Sequence, residues 1–232
     1  MKVEVMNSNL NEKLYYEDCE LLKRVAIFIM AITIYYVSWY YGKDILMNLF
    51  YGYIKNGVLK PKLFFSHLLI YGSIFSAICS YVMIFIAYKL GVIRLPKYLV
   101  NIKAALLYGI VSALALSVLF IIYWLIRGYD FQFLINSQSI LGNIFSNYYE
   151  EISYRALLVG VTLALFRNKW IAIVIPSLIM VSTHTQYPFE FKCLVFLGSC
   201  FFSYVYIRTS NLVSSWSSHQ VSDIVLDTIL KV

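Results

Sequence analysis

Long apolar runs separated by short polar breaks dominate the chain from Val25 onward. The runs are Val25–Tyr41, Phe64–Tyr88, Ala104–Ile126, Ser139–Phe166, Trp170–Thr183, Phe191–Ile207 and Leu212–Leu230. Most approach or exceed the roughly 20 residues that a helix needs to cross the hydrocarbon of a bilayer. Their apolar positions are continuous, whereas membrane β-strands alternate polar and apolar residues over short segments. The pattern predicts an all-α, polytopic membrane helix bundle with about seven transmembrane segments. Asp44–Gly57 is apolar but interrupted, and its length suits an interfacial or re-entrant piece. Trp170–Thr183 is short and carries Pro176, which predicts a kink. The organisation expected is a polar tail at 1–24, N-terminal membrane helices over 25–138 and a core over 139–232.

Composition agrees with this class. Apolar residues make up 61% of the chain and charged residues 13%, against about half and about a quarter in soluble domains. The mean hydropathy is +0.73. Tyr35-Tyr36 and Trp39-Tyr40-Tyr41 form an aromatic cluster of the kind that anchors a helix at the lipid–water boundary. The net charge of +7 sits in loops. Lys89, Arg94, Lys97 and Lys103 flank one connection, as expected of a cytoplasmic face against anionic lipid, and the charge balance puts the N-terminus in the cytoplasm. Membrane lipid is thus a partner, and nucleic acid is not, because no basic stripe lies on a soluble face. Cys19, Cys79, Cys193 and Cys200 show no C-x-x-C spacing and imply no disulfide framework. Polar residues precede Val25 and no small-x-small site follows the first run, which reads as an anchor rather than a cleaved signal.

Candidate chemistry starts with Glu150, Glu151 and Arg155, three charges inside an apolar run whose other strongly polar side chains are Asn143 and Asn147. Charges at membrane depth are costly and mark functional sites lining a bundle interior or wet cavity. Glu151 and Arg155, four apart, share a helix face and can pair. Glu150 is rotated by about 100° and is free to face a different partner. One glutamate is then structural and the other chemical. His184 closes the run containing Pro176, and His219 and Asp223 stand four apart on the last run. That spacing suits a metal pair or a histidine oriented by a carboxylate. His67, without an acidic neighbour, reads as structural.

Glu150-Glu151…Arg155, then Met180…His184, then His219…Asp223, resembles in order and spacing the CAAX protease and bacteriocin-processing (CPBP) family of intramembrane proteases. That family's motifs are Glu-Glu-x-x-x-Arg, Phe-x-x-x-His and His-x-x-x-Asn. Met180 stands where Phe is usual and Asp223 where Asn is commonest. Arg208-Thr209-Ser210-Asn211-Leu212 looks like the short basic turn before the family's last helix. The resemblance spans about residues 139–228. It implies a helix bundle with a membrane-embedded polar cavity. By the same resemblance, Glu150 is the general base and His184 its partner in activating water. His219 and Asp223 hold the carbonyl oxygen, and Glu151 and Arg155 orient the site.

Asp223 leaves alternatives open. An ionised carboxylate cannot donate to an oxyanion and repels it. Asp223 is either protonated, or accepts from His219 and leaves that histidine as donor, or belongs to a zinc site made of Glu150, His184, His219 and Asp223. The expectation is a glutamate mechanism with no cofactor, zinc being the alternative. The resemblance implies an endopeptidase acting on a peptide or protein with a membrane-associated segment. Its setting is a bacterial cell membrane, with roles in peptide maturation or bacteriocin self-immunity. A non-catalytic immunity or regulatory protein that binds a partner through the same cavity is the other reading.

Overall fold

The computed structural model describes residues 19–58, 61–96, 101–130, 132–133, 137–185 and 187–231. Most of the expected polar tail, residues 1–18, lies outside them. The helices are α1 (Leu21–Lys55), α2 (Pro61–Lys89), α3 (Ile102–Ile126), α4 (Ser137–Glu150), α5 (Gly160–Phe166), α6 (Lys169–Thr183), α7 (Phe189–Thr209) and α8 (Leu212–Asp223). A π-helical segment, Glu151–Val159, joins α4 to α5 in one rod, and a second, Ile224–Ile229, continues α8. Gln132–Phe133 and Leu230–Lys231 form a two-residue antiparallel pair that ties the approach to α4 to the end of the last rod. His67 lies on α2 in a stretch whose side chains are outside the described residues.

The protein is a polytopic membrane helix bundle. Helices α1, α3 and α7 are each long and apolar enough to cross a membrane, and α6 is a shorter apolar helix. Beside a buried apolar core, large apolar side chains also cover the outside and small polar ones lie within. Leu107, Leu119 and Ile126 on α3 are 64%, 63% and 79% exposed, as suits a lipid-facing surface. Ser80, Ser153, Ser203 and Ser218 are wholly buried. Small hydroxyl side chains let helices approach closely and bond across in lipid, where apolar side chains gain nothing by hiding. Ser80 and Ser153, at 2.6 Å, join α2 to the π-helical segment in this way.

One expectation is corrected. The first apolar run and the interrupted stretch at 44–57 form a single 35-residue helix, α1, not a span followed by a separate interfacial or re-entrant piece. Gly42 and Gly52 do not break it, because a glycine inside a helix costs only about 1 kcal/mol relative to alanine. Pro176 lies inside α6; the nearby Ile173 carbonyl accepts from Ser177 Oγ at 2.7 Å, the kind of side-chain bond that supports a proline-containing membrane helix.

Two local features position the site. Ser210 has φ 54° and its amide bonds the Tyr206 carbonyl at 2.8 Å, ending α7. Asn211 Oδ1 then accepts from the Val213 amide at 2.9 Å, so α8 starts at once. The basic turn read from sequence is this reversal. On its other side α8 crosses α3 through small residues. A Cβ on Gly109 would lie 1.9 Å from Ser217 Oγ and 2.4 Å from the Ser214 carbonyl oxygen. The latter is backbone, so a methyl group there forces the helices apart. Gly109→Ala is therefore expected to lower detergent thermal stability, whereas Gly52→Ala, which meets nothing within 4 Å, leaves it unchanged or slightly raised. Equal melting temperatures for the two variants would contradict the close crossing.

Candidate active site

The π-helical segment is buried at every residue, and π turns are common at functional sites. It carries Glu151 and Arg155 into the middle of the bundle, both fully buried. Arg155 Nε stands 3.4 Å from Glu151 Oε2, the pair that the spacing predicted. Arg155 Nη1 meets the Met180 sulfur at 3.8 Å, so the methionine at the usual phenylalanine position touches the site's cation. The guanidinium lies over the rings of Phe202, at 5.5 Å, and Tyr154, at 5.6 Å. Phe202 also stacks on the His219 imidazole, with centroids 4.6 Å apart.

His219 is the hub. Its Nδ1–H donates to Glu151 Oε1 at 2.9 Å. That bond fixes the ring and turns Nε2 toward Glu150 Oε2, at 3.8 Å, and Asp223 Oδ2, at 3.6 Å. The two glutamates therefore face the two nitrogens of one imidazole. The two differ in exposure: Glu151 is buried completely, while Glu150 retains 8% exposure and lines a cavity.

That cavity has a volume of about 700 Å³ and opens between α1, α3, α4, α6, α7 and α8. Glu150, His184, His219 and Asp223 all lie on its wall, together with Asn143, Asn147 and Phe202. His184, at the C-terminal cap of α6, donates Nδ1–H to the Met180 carbonyl at 2.8 Å and stacks on Tyr187. A carbonyl only accepts, so this bond leaves Nε2 as the free ring nitrogen of His184. No hydrogen bond or ion pair joins His184 to Glu150 among the described residues; the cavity lies between them. Nor do the described residues include a group of three or more His, Cys, Asp or Glu side chains arranged to hold a metal ion. The zinc set of Glu150, His184, His219 and Asp223 is not assembled as a ligand set in this arrangement.

All the motif residues fall within residues 132–225, which match a family model described as type II CAAX prenyl endopeptidase Rce1-like. No curated protein and no solved structure matches the chain. The family is of the CAAX-type intramembrane protease kind, so the Rce1-like stretch places the resemblance seen in the motifs on a second footing.

Several residues of this centre escaped the sequence reading. Phe202, between Arg155 and His219, carries no local signal among so many aromatics. Tyr35, expected as part of an interfacial anchor, is instead fully buried; its hydroxyl joins those of Tyr154 and Thr183 in a cluster that bonds α1, the π-helical segment and α6 together. Asn147 donates to Gln220 Oε1 at 3.1 Å. Its place three residues before Glu150, with Gln220 beside His219, was the available signal.

Glu151 and Arg155 should behave as one unit. Removing either by Ala strands a buried charge and should lower stability by about 3–5 kcal/mol. The double variant should lose less than the sum, because Arg155 is then removed together with its counter-charge and only His219 loses a partner. A double-mutant cycle in detergent checks this, and strict additivity would show that the pair does not interact.

Proposed function

We propose that the protein is an intramembrane endopeptidase that cleaves a peptide bond with a water activated by Glu150. One observation carries the reading: an Rce1-like stretch brings Glu150, Glu151, His219 and Asp223 to one buried polar centre on the wall of a cavity among membrane helices. Glu150 is the cavity-facing carboxylate and so the one that water reaches. In the proposed sequence, Glu150 takes a proton from water as the oxygen adds to the scissile carbonyl. The carbonyl electron pair moves to oxygen. The C–N bond then breaks, and the proton passes from Glu150 to the leaving nitrogen. His184, across the cavity, offers Nε2 to the same water.

His219 holds the carbonyl oxygen through Nε2–H in its protonated form, with Nδ1–H kept on Glu151. Asp223 Oδ2 stands 3.6 Å from Nε2, too far to take that hydrogen, and acts on His219 through the charge it sets beside the imidazolium. Glu151 and Arg155 orient the histidine. The substrate we infer is a peptide or protein with a membrane-associated segment, reached from a lipid surface. The bacterial cell membrane, a cytoplasmic N-terminus and a role in peptide maturation or bacteriocin self-immunity complete the proposal.

Glu150→Gln tests it, because the amide keeps shape and hydrogen bonding but removes the base. Reconstituted wild-type protein is expected to cleave a quenched-fluorescence prenylated CAAX peptide, and the Gln variant to lose at least about 100-fold in rate while accumulating normally in the membrane. Equal rates would rule out the glutamate mechanism, and no cleavage by either protein would leave the non-catalytic binding role.

Asp223→Asn separates the metal-free path from the zinc alternative. The proposal expects retained or raised activity, no stoichiometric zinc by elemental analysis and no loss on chelation. Zinc near one equivalent in the wild type, lost together with activity in Asp223→Asn, would establish Asp223 as a ligand.

A further inference from the structure

The oxyanion of the proposed reaction needs neutral or cationic N–H donors aimed into the cavity. Asp223, at the position where the resemblance expects an amide, offers none when ionised, and the His219 Nε2 it approaches at 3.6 Å is also faced by Glu150. An amide is nevertheless present on the same cavity wall. Asn147 is 3% exposed and lines the cavity beside Glu150. Both lie on α4, three residues apart, a spacing that makes them neighbours on one helical face.

Asn147 Nδ2 donates one hydrogen to Gln220 Oε1 at 3.1 Å. Gln220 is itself buried, and it adjoins His219 on α8. An amide nitrogen carries two hydrogens. The bond to Gln220 therefore fixes the plane of the group and holds the second N–H in one direction without consuming it. Such preorganisation is what makes an oxyanion donor effective, since no reorientation is required as charge develops. Asn143, one turn earlier, also lines the cavity but is only half-buried and has no such bond among those described.

We propose that Asn147, oriented by Gln220, supplies the amide N–H that stabilises the oxyanion, replacing the donor that Asp223 cannot provide. As water oxygen bonds to the carbonyl carbon and Glu150 takes its proton, the carbonyl electron pair moves onto oxygen, which accepts from Asn147 Nδ2–H. When the C–N bond breaks, that electron pair returns to re-form the carbonyl and the proton from Glu150 leaves with the amine. This inference rests on the peptidase reading. Asn147 is the catalytic residue because it touches the reacting oxygen, and Gln220 is a positioning residue.

The test compares wild type, Glu150→Gln, Asn147→Ala, Asp223→Asn and the double variant Asn147→Ala/Asp223→Asn in proteoliposomes, with the same quenched prenylated CAAX peptide. Asn147→Ala is expected to reduce kcat about 100- to 1000-fold with little change in KM. Adding Asp223→Asn should restore at least tenfold of that loss, because an amide donor returns to the cavity wall at position 223. Gln220→Leu, which frees Asn147 to rotate, should lower kcat less than Asn147→Ala. Melting temperature in detergent is followed for every variant. A loss in Asn147→Ala that tracks lowered stability and is not rescued by Asp223→Asn would make Asn147 structural and overturn the inference. Unchanged kcat in Asn147→Ala would overturn it too. If wild type and Glu150→Gln are indistinguishable, the peptidase reading itself has failed.

Discussion

A single buried chain of charge, Arg155 to Glu151 to His219, is the constraint on which the rest of the structure depends. Arg155 cannot lie in the middle of a membrane bundle without a counter-charge, and Glu151 Oε2 supplies it at 3.4 Å. The other oxygen of the same carboxylate then holds His219 Nδ1 at 2.9 Å. One carboxylate thereby neutralises a cation on its own helix and orients an imidazole contributed by α8. Removing Glu151 would strand both partners, which explains why a costly buried ion pair sits where a hydrophobic packing of the same volume would be cheaper to bury. Its gain is a histidine with one defined tautomeric edge facing a cavity.

The fold is arranged to deliver that histidine. The π-helical segment widens the turn where the charged residues enter the bundle, and its neighbours along the rod, α4 and α5, are ordinary helix. The reversal at Ser210 and Asn211 places α8 directly after α7, so Phe202 and His219 stack. The close crossing at Gly109 fixes α8 from the opposite side. Lipid supplies no driving force for burying leucine, so contacts among small residues and hydroxyls carry the packing around the site. The residues of the chemistry and the residues of the packing are thus next to one another.

Much of this was legible in sequence, because membrane helices write their length in hydropathy and make charges conspicuous. The all-α bundle was read from the apolar runs and the Glu151–Arg155 pair from local spacing, while the turn before the last helix came with the family resemblance. What spacing could not give was anything carried by a contact between distant segments. Glu150 was expected to face a partner other than that of Glu151, yet both meet His219, because an imidazole has two edges and α8 inserts it between them. The continuity of α1 through Gly42 and Gly52 was missed because interrupted hydropathy resembles a break, while a helix tolerates isolated glycines. Phe202 and the Asn147–Gln220 bond required the fold itself.

The most direct measurement is the ¹⁵N spectrum of the histidine side chains in the membrane-reconstituted protein. The chain has only three histidines, so the His219 signals are assigned by comparison with a His219→Gln variant. The account predicts a proton on His219 Nδ1 in the wild type and a changed Nδ1 environment in Glu151→Gln. A bare Nδ1 in the wild type, or a His219 spectrum indifferent to Glu151→Gln, would contradict the central claim that Glu151 orients the histidine.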